Sequence, residues 1–293
     1  MTQMELVHDY MRDSRLRHGL NTLAQQIYGF DFEAWVQDGY FAGDYIPYSF
    51  VEDGKILSNA SANRMRFMQN GAEKHYIQIG TVMTSESYRH QGLARKLVEH
   101  IIETYENQCD GIYLFSNLDA LDFYRKIGFQ EGLQYQYALK EPVEGSSSSS
   151  RFQPVDRQDQ QVRQKYMDAV RSCAVHGSLE QLNKFGLQMF YTSQLSNVYY
   201  ADDIDCFAVM ELSEGTLTLQ SIVSREHIPM QEIIARISQS RSRLTLGFSP
   251  CAGDAALFEA SAFDGGDVRL FYWGKELERI EKERLFFPLL SHA

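Results

Sequence analysis

The sequence predicts a mixed α/β (α+β) protein of two domains, each with a mixed, mostly antiparallel central sheet flanked by helices. Strand-length apolar runs alternate with amphipathic helical segments along the chain. The length of 293 residues exceeds that of an average single domain. A stretch rich in Pro, Gly and Ser interrupts the chain near its middle and cannot bury apolar area. We therefore infer a first domain at 1–140, a connector at 141–150 and a second domain at 151–293.

The first half has the pattern of an opening strand, two helices and a meander of strands. In chain order, we predict a strand at 5–10, helices at 19–28 and 32–39, and strands at 48–52, 58–69 and 76–84. Asp53-Gly54 and Asn70-Gly71 join the last three strands, because these pairs adopt the positive φ angles of tight hairpins. Gly80 lies inside a strand pattern and predicts a bulge or a splayed strand.

A turn and a helix follow this meander and form a potential anion site. Leu93, Leu97 and Ile101 recur every fourth residue, which predicts a helix with one apolar stripe. Gly92 permits a tight turn and a close approach of the backbone to a ligand. The first amides of a helix have no internal partner and carry partial positive charge, so this turn favours phosphate. It lacks the glycine pattern of dinucleotide-binding folds and the Gly-Lys-Ser/Thr of phosphate loops.

A second strand–helix block begins about twenty residues after the turn. The apolar run 111–116 predicts a strand, and Asn117 is suited to capping the next helix. Tyr124 lies on the apolar face of that helix, and Gly128 is suited to the position just past its end. From the residues alone, Tyr124 is either a buried core tyrosine or a functional one.

These two blocks together resemble the GNAT acetyltransferase superfamily. The run Arg89-His90-Gln91-Gly92-Leu93-Ala94 is similar to its acetyl-CoA signature, Arg/Gln-x-x-Gly-x-Gly/Ala, and residues 114–129 are similar to its strand, Asn, helix, Tyr and Gly-Phe block. The resemblance covers roughly residues 1–140. It implies a GNAT fold, acetyl-CoA as co-substrate, and transfer of an acetyl group to a primary amine of a small molecule or peptide.

The resemblance also implies a catalytic residue and a set of coenzyme-binding residues. Tyr124 would be the general acid that protonates the departing CoA thiolate, and a phenol of pKa about 10 suits that role. The residues implied to bind acetyl-CoA are Val82, Met83, Thr84, Arg89, His90, Gln91, Gly92, Leu93, Ala94, Arg95 and Asn117. The first three would contact the pantetheine arm, and the amides of residues 90–95 would bind the diphosphate.

The expected general base is missing from this pattern. Many members of the superfamily carry a Glu on the strand before the signature, where this chain has Gln78. Glu73 and His75 stand at the start of the strand, and ordered water could also accept the proton. No general base is therefore assigned. This departure leaves an alternative function open, namely a non-catalytic acyl-CoA-binding sensor or assembly protein.

Aromatic residues of the early helices are expected near the acceptor. In a GNAT fold these helices line the acceptor site, although plain core packing accounts for the same residues. The residues concerned are Trp35, Tyr40, Phe41 and Tyr45.

The second half repeats the element order of the first, which indicates an internal duplication. In chain order, we predict a strand at 151–155, helices at 158–172 and 179–191, strands at 198–201, 206–212 and 216–223, a helix at 229–237, strands at 244–248 and 268–273, a charged helix at 277–284 and an apolar tail at 285–290. The signature is lost between strand and helix, where Ile228 and Pro229 replace the glycine turn. We expect a degenerate GNAT-like domain that does not bind CoA. It would serve stability or dimerisation, or it would form a wall of the acceptor site. His227 is expected in a solvated loop.

Composition excludes several other functions. A net charge of −11 without a basic segment argues against nucleic-acid binding, and it would attract amines weakly. No apolar run is long enough to span a membrane, and the N-terminal residues do not resemble a signal peptide. The four cysteines are scattered without zinc spacing, so we expect reduced thiols and no metal. We therefore expect a cytoplasmic protein with no metal, nucleic-acid or membrane partner, and homodimerisation is left open.

Overall fold

The computed structural model describes residues 4–141, 150–237 and 243–293, so most of the predicted connector lies outside the described residues. In chain order, its strands are β1 (Glu5–His8), β2 (Tyr45–Glu52), β3 (Lys55–Gln69), β4 (Ala72–Thr84), β5 (Gly111–Asn117), β6 (Gln130–Gly132), β7 (Tyr135–Leu139), β8 (Gln153–Pro154), β9 (Leu179–Gln181), β10 (Val198–Ala201), β11 (Cys206–Ser213), β12 (Thr216–Val223), β13 (Arg243–Leu246), β14 (Phe258–Ala262) and β15 (Val268–Trp273). The α-helices are α1 (Ser14–Tyr28), α2 (Glu33–Gln37), α3 (Leu93–Tyr105), α4 (Leu121–Ile127), α5 (Gln160–Arg171), α6 (Phe185–Thr192), α7 (Met230–Arg236) and α8 (Arg279–Lys282).

The strands form two mixed sheets flanked by helices, which confirms the predicted fold class. The first sheet has the order β1-β2-β3-β4-β5-β15-β6, with β9 paired to the far end of β3. The second sheet has the order β8-β10-β11-β12-β13-β7-β14. In each sheet the fourth and fifth strands are parallel and the neighbouring pairs are antiparallel. The two halves therefore share one topology, as the predicted internal duplication requires.

The sixth position of each sheet is filled by a strand from the other half of the chain. β15 lies between β5 and β6 of the first sheet, with Phe271 opposite Leu114. β7 lies between β13 and β14 of the second sheet, with Tyr137 opposite Leu246. The sheets do not divide at the predicted boundaries of 140 and 151, because β15 and β7 each cross into the other sheet. Strand pairing depends on partners that are distant in sequence, so the exchange leaves no local signal.

Local signals placed most of the other elements. β10, β12 and β15 have the predicted bounds, α2 and α5 lie within two residues of theirs, and α1 begins five residues earlier than predicted. Both residues of each predicted hairpin turn, at 53–54 and 70–71, have positive φ. On α3 the predicted stripe is buried, including Leu97 and Ile101.

Several predicted elements differ in the structure. In place of the helix expected at 179–191, the structure has strand β9 followed by α6. β9 pairs with the end of β3 that β2 does not cover. The tail helix is only a 3-10 turn and α8, and β6, β7 and β14 were not predicted. Asn117 precedes a 3-10 turn without a side-chain capping bond, so α4 begins four residues later. The tail residues Phe286 and Phe287 are buried, as expected for a docked end.

Core packing joins the two halves. One hydrophobic cluster contains Leu20 and Trp35 from the first half together with Tyr166 and Met189 from the second. The four cysteines are free thiols. Within the described ranges, no helix is both long enough and apolar enough to cross a membrane.

A buried histidine in the second half makes the stability of the fold dependent on pH. His176 is 2% exposed, and its Nε2 lies 3.0 Å from Ser224 Oγ. Burial lowers its pKa to about 4, so the unfolded chain binds an extra proton between about pH 6.5 and pH 4. We expect the free energy of unfolding to fall by about 3 kcal/mol over this interval through His176.

Urea unfolding at pH 7 and pH 4.5 measures this dependence. His176→Asn should flatten the pH slope, whatever it does to stability at pH 7. His75→Asn is the matched control, because the His75 side chain is 61% exposed. Equal slopes for the wild type and His176→Asn would contradict the assignment.

Candidate active site

A bulge near the end of β4 creates the first feature of the site. Ser61 of β3 pairs with Gly80 and Asn59 with Met83, so β4 has one extra residue between these pairs. Thr81 in the bulge has φ of 43°, which is unusual for a residue other than glycine. The Asn59 Nδ2 donates to the Thr81 main-chain oxygen at 2.9 Å and holds the bulge in place. The bulge predicted from Gly80 is therefore confirmed.

Strands β4 and β5 separate at the same point. Their parallel pairing runs from Tyr76 opposite Gly111 to Ile79 opposite Leu114 and then stops. Beyond Ile79, the edge of β4 that faces β5 has no strand partner among the described residues. A polar chain can add to such an edge through main-chain hydrogen bonds. Val82, Met83 and Thr84, the implied pantetheine contacts, lie on this segment.

The loop after β4 presents a row of unpaired amides. The main-chain amides of residues 90–95 donate to no other described residue, and the first bond of α3 runs from Lys96 N to Gly92 O. His90 and Gly92 both have positive φ, which turns the loop sharply into the helix. Arg89 Nε lies 3.4 Å from Thr84 O and braces the loop, while Arg95 pairs with Glu99. This geometry suits a bound anion.

Tyr124 lies on α4 at the opening between β4 and β5. It is 6% exposed, and its ring packs against Phe129 and against Phe271 of the exchanged strand β15. Its hydroxyl has no hydrogen bond to another described residue. Burial raises the pKa of Tyr124 above its ordinary value, so the phenol is protonated at neutral pH and can donate its proton.

One open cavity of about 580 Å³ joins these features. Of the implied site residues, Val82, Ala94, Asn117 and Tyr124 line it directly. The other implied residues do not line it: Arg89, His90, Gln91, Gly92 and Arg95 are exposed, Thr84 is half-buried, and Met83 and Leu93 are buried. The structure thus brings both sequence blocks to a single site.

The second half of the chain supplies one wall of this cavity. Leu187, Phe190 and Tyr191 of α6 line it, and Trp35 Nε1 donates to Gly186 O at 2.8 Å across the junction of the halves. Of the predicted acceptor-site aromatics, Trp35 and Tyr45 line the cavity. Tyr40 and Phe41 do not, because they pack behind it against Phe185 and Trp35.

The tail residues His292 and Ala293 also line the cavity, and sequence reasoning missed them. A Cβ on Gly80 would stand 2.4 Å from the Ala293 main-chain oxygen, so glycine is required there for the tail to fit. The His292 ring stacks on Phe115 with centroids 3.7 Å apart, and burial lowers its pKa to about 4. The apolar composition of residues 285–290 predicted a docked tail, but it gave no information on where the tail would dock.

None of the candidate general bases on β4 reaches the cavity. Gln78 is 1% exposed, and its side chain faces Tyr113, with 3.5 Å between Oε1 and the tyrosine hydroxyl. Glu73 and His75 pair with each other at the start of β4. Eight residues of strand separate Glu73 from Thr81, about 27 Å. The cavity wall has no Asp or Glu side chain among the described residues.

Comparison with known proteins agrees with this arrangement. Residues 5–129 match the sequence model of the Acetyltransferase (GNAT) family. A search of curated proteins gave no match.

Structural similarity extends over both halves of the chain. A probable N-acyltransferase from Enterococcus faecalis V583 superposes with a TM-score of 0.59 at 13% identity, over 94% of this chain and 74% of that chain. A GCN5-related N-acetyltransferase from Kribbella flavida gives 0.54 at 15% identity, over 92% and 71%. Eis1 from Mycobacterium abscessus gives 0.54 at 11% identity, over 92% and 73%. Identities this low show a shared fold alone.

The family match and the site occupy the same part of the chain. The matched residues include the bulge of β4, the loop of unpaired amides and Tyr124. Residues 5–129 therefore match the GNAT acetyltransferase family, and the two halves of the chain together have the fold of GNAT N-acetyltransferases.

Proposed function

We propose that this protein transfers an acetyl group from acetyl-CoA to a primary amine of a small molecule or peptide. The observation that carries the proposal is the row of unpaired amides at residues 90–95, of which Ala94 lines the same cavity as Tyr124. Acetyl-CoA is the co-substrate of the GNAT family. With its diphosphate at this loop and its thioester beside Tyr124, acetyl-CoA would bind to features that are already formed.

The coenzyme contacts follow from the shape of the site. The amides of residues 90–95 would bind the diphosphate, with positive charge from Arg89 and Arg95 nearby. The pantetheine arm would lie along the edge of β4 at Val82, Met83 and Thr84, which has no strand partner in the described part of the chain and where the Tyr28 hydroxyl donates to Val82 O at 2.8 Å. Its two amide groups would there hydrogen-bond to main-chain atoms as a strand does. Asn117 and Ala94 line the passage to the thioester.

The chemical step requires a neutral amine and a protonated leaving group. The amine nitrogen attacks the thioester carbonyl, and the carbon–nitrogen bond forms as the carbon–sulfur bond breaks. Tyr124 donates its proton to the sulfur, which leaves as the CoA thiol. The nitrogen loses one proton as the amide forms, and Tyr124 regains a proton from water. The site brings the two reactants together, and this approximation supplies much of the rate.

The second half lacks a corresponding loop for binding the coenzyme. Its loop between β12 and α7 has no glycine, and Ile228 N lies 3.4 Å from His176 Nε2. Pro229, which precedes α7, has no amide hydrogen to donate. This half would instead support the first sheet through β15 and wall the acceptor side through α6.

Two coenzyme derivatives test the proposal. Acetyl-CoA and acetyl-pantetheine carry the same thioester, but only the first has a diphosphate. With a panel of amines, we expect KM for acetyl-pantetheine to be about 100-fold higher, because the loop amides have no phosphate to bind. Released thiol is measured by chromatography, since the protein's four free cysteines would consume a thiol reagent. Equal KM values would contradict the assignment of the loop.

The same experiment separates the enzyme from a sensor. Calorimetry with CoA measures binding without turnover. Binding of CoA without acetylation of any amine would favour the acyl-CoA sensor, for which the absence of a Glu at Gln78 is the supporting observation. Absence of both binding and turnover would contradict both functions.

A further inference from the structure

One wall of the cavity is built from interlocked aromatic rings. Phe190 lies 5.7 Å from Phe30 and 5.9 Å from Trp35 between ring centroids. Phe32 lies 4.9 Å from Tyr45 and 6.2 Å from Trp35. The rings come from α6, β2 and the α1–α2 segment, so packing from three directions fixes their positions. This wall is preformed to receive a flat apolar group.

The polar atoms of these rings already have partners. Tyr45 Oη is 2.8 Å from Thr81 Oγ1, and Trp35 Nε1 donates to Gly186 O. The Tyr191 hydroxyl donates to His292 O at 2.7 Å. The aromatic wall therefore offers ring faces and edges to a ligand and few free hydrogen-bonding groups. The main-chain oxygen of Ala293, which lies against Gly80, and the buried His292 Nε2, which has no hydrogen-bond partner among the described residues, are the polar exceptions.

No charged side chain lines the cavity among the described residues. His292 is neutral at physiological pH, because burial lowers its pKa to about 4. The Asp and Glu side chains behind the net charge of −11 do not line the cavity in the described part of the chain. An acceptor with several ammonium groups would meet no Asp or Glu side chain in this lining, which favours a monoamine over a polycation.

We propose that the acceptor is a small aralkylamine, with one primary amine on an aromatic body. This inference rests on the proposed acetyl transfer and names its substrate class. The aromatic body would pack against Phe190 and Trp35, and the amine would point towards the thioester. Desolvation in the aromatic pocket lowers the pKa of the bound ammonium, so the neutral nucleophile forms although Gln78 replaces the usual base. The released proton passes to solvent.

A panel of amines tests this substrate class with the full chain. The aralkylamines are phenethylamine and tryptamine, and the polycations are spermidine and kanamycin. We expect kcat/KM for the aralkylamines to exceed that for the polycations by about 100-fold or more. Equal or better turnover of the polycations would overturn the proposal and leave acetyl transfer itself intact. A tetrapeptide that starts with Phe and reacts better than phenethylamine would overturn the small-molecule part.

Matched variants test the aromatic wall. Phe190→Ala should lower kcat/KM for phenethylamine by about 10-fold or more and change that for propylamine much less, because propylamine does not reach the ring. Phe263→Ala is the control, because Phe263 is a half-buried phenylalanine that does not line the cavity. Equal losses with both amines would overturn the role of Phe190.

A binding measurement distinguishes failure of this proposal from failure of the proposed function. In a Trp273→Phe variant, Trp35 is the only tryptophan left, so its fluorescence reports on the cavity. Saturable quenching by phenethylamine but not by spermidine, even without turnover, would support the substrate class. A Trp35 signal that responds to spermidine and not to phenethylamine, or to neither amine, would overturn it.

Discussion

Replacing Tyr124 with phenylalanine should lower kcat by about 10²- to 10⁴-fold, the usual contribution of a general acid. The change removes only the hydroxyl and keeps the ring that packs on Phe271 and Phe129. The affinity for acetyl-CoA, measured by calorimetry, should therefore change little. The melting temperature should also be maintained, because the hydroxyl has no hydrogen-bond partner among the described residues.

The pH profile gives a second measure of Tyr124. Its raised pKa keeps the phenol protonated through neutral and moderately alkaline pH. In the wild type, kcat should therefore not fall between pH 7 and pH 9 through loss of this proton. Tyr105→Phe is the matched control, because Tyr105 is a buried tyrosine of α3 whose hydroxyl pairs with Tyr48 outside the cavity. Equal kcat values for the wild type and Tyr124→Phe would contradict the assignment of Tyr124 as the general acid.

The local features that we propose to bind the coenzyme could be predicted from sequence because their signals are local. Gly80, Gly92 and Gly128 mark the bulge, the turn into α3 and the end of α4, and each is set by conformations of adjacent residues. The apolar stripe of α3 then determines which face of the helix is buried. These features are close in sequence, so the pattern of residues was enough to place them.

The acceptor side could be predicted only in part. Trp35 and Tyr45 were expected there, whereas Phe190, His292 and Ala293 were not. The last three reach the cavity through contacts between the halves, and such contacts leave no periodicity in the sequence. Residues Leu179–Gln181 show the same limit of prediction from local sequence. Their pattern is helical, but pairing with β3 makes them a strand.

The second large effect that we expect follows from the exchange of β7 and β15 between the two sheets. We expect that cutting the chain at a protease site inserted within 142–149 will leave the two fragments associated. β15 is hydrogen-bonded on both sides, to β5 and β6, and β7 is held likewise by β13 and β14. Separation would expose strand edges in both sheets and the shared core around Trp35 and Tyr166. Size-exclusion chromatography after cleavage should give one peak, and urea should unfold both fragments in one transition.

Separate expression of the fragments completes this test. Residues 1–141 alone lack β15, which leaves facing edges of β5 and β6 unpaired and removes Phe271 from beside Tyr124. We therefore expect this fragment to aggregate or to remain unfolded, although it contains the whole family match at 5–129. Coexpression with residues 150–293 should restore a soluble complex that binds CoA. A folded, CoA-binding monomer of residues 1–141 would show that the exchanged strand is dispensable, and dissociation of the cleaved fragments under native conditions would contradict the interlocked arrangement.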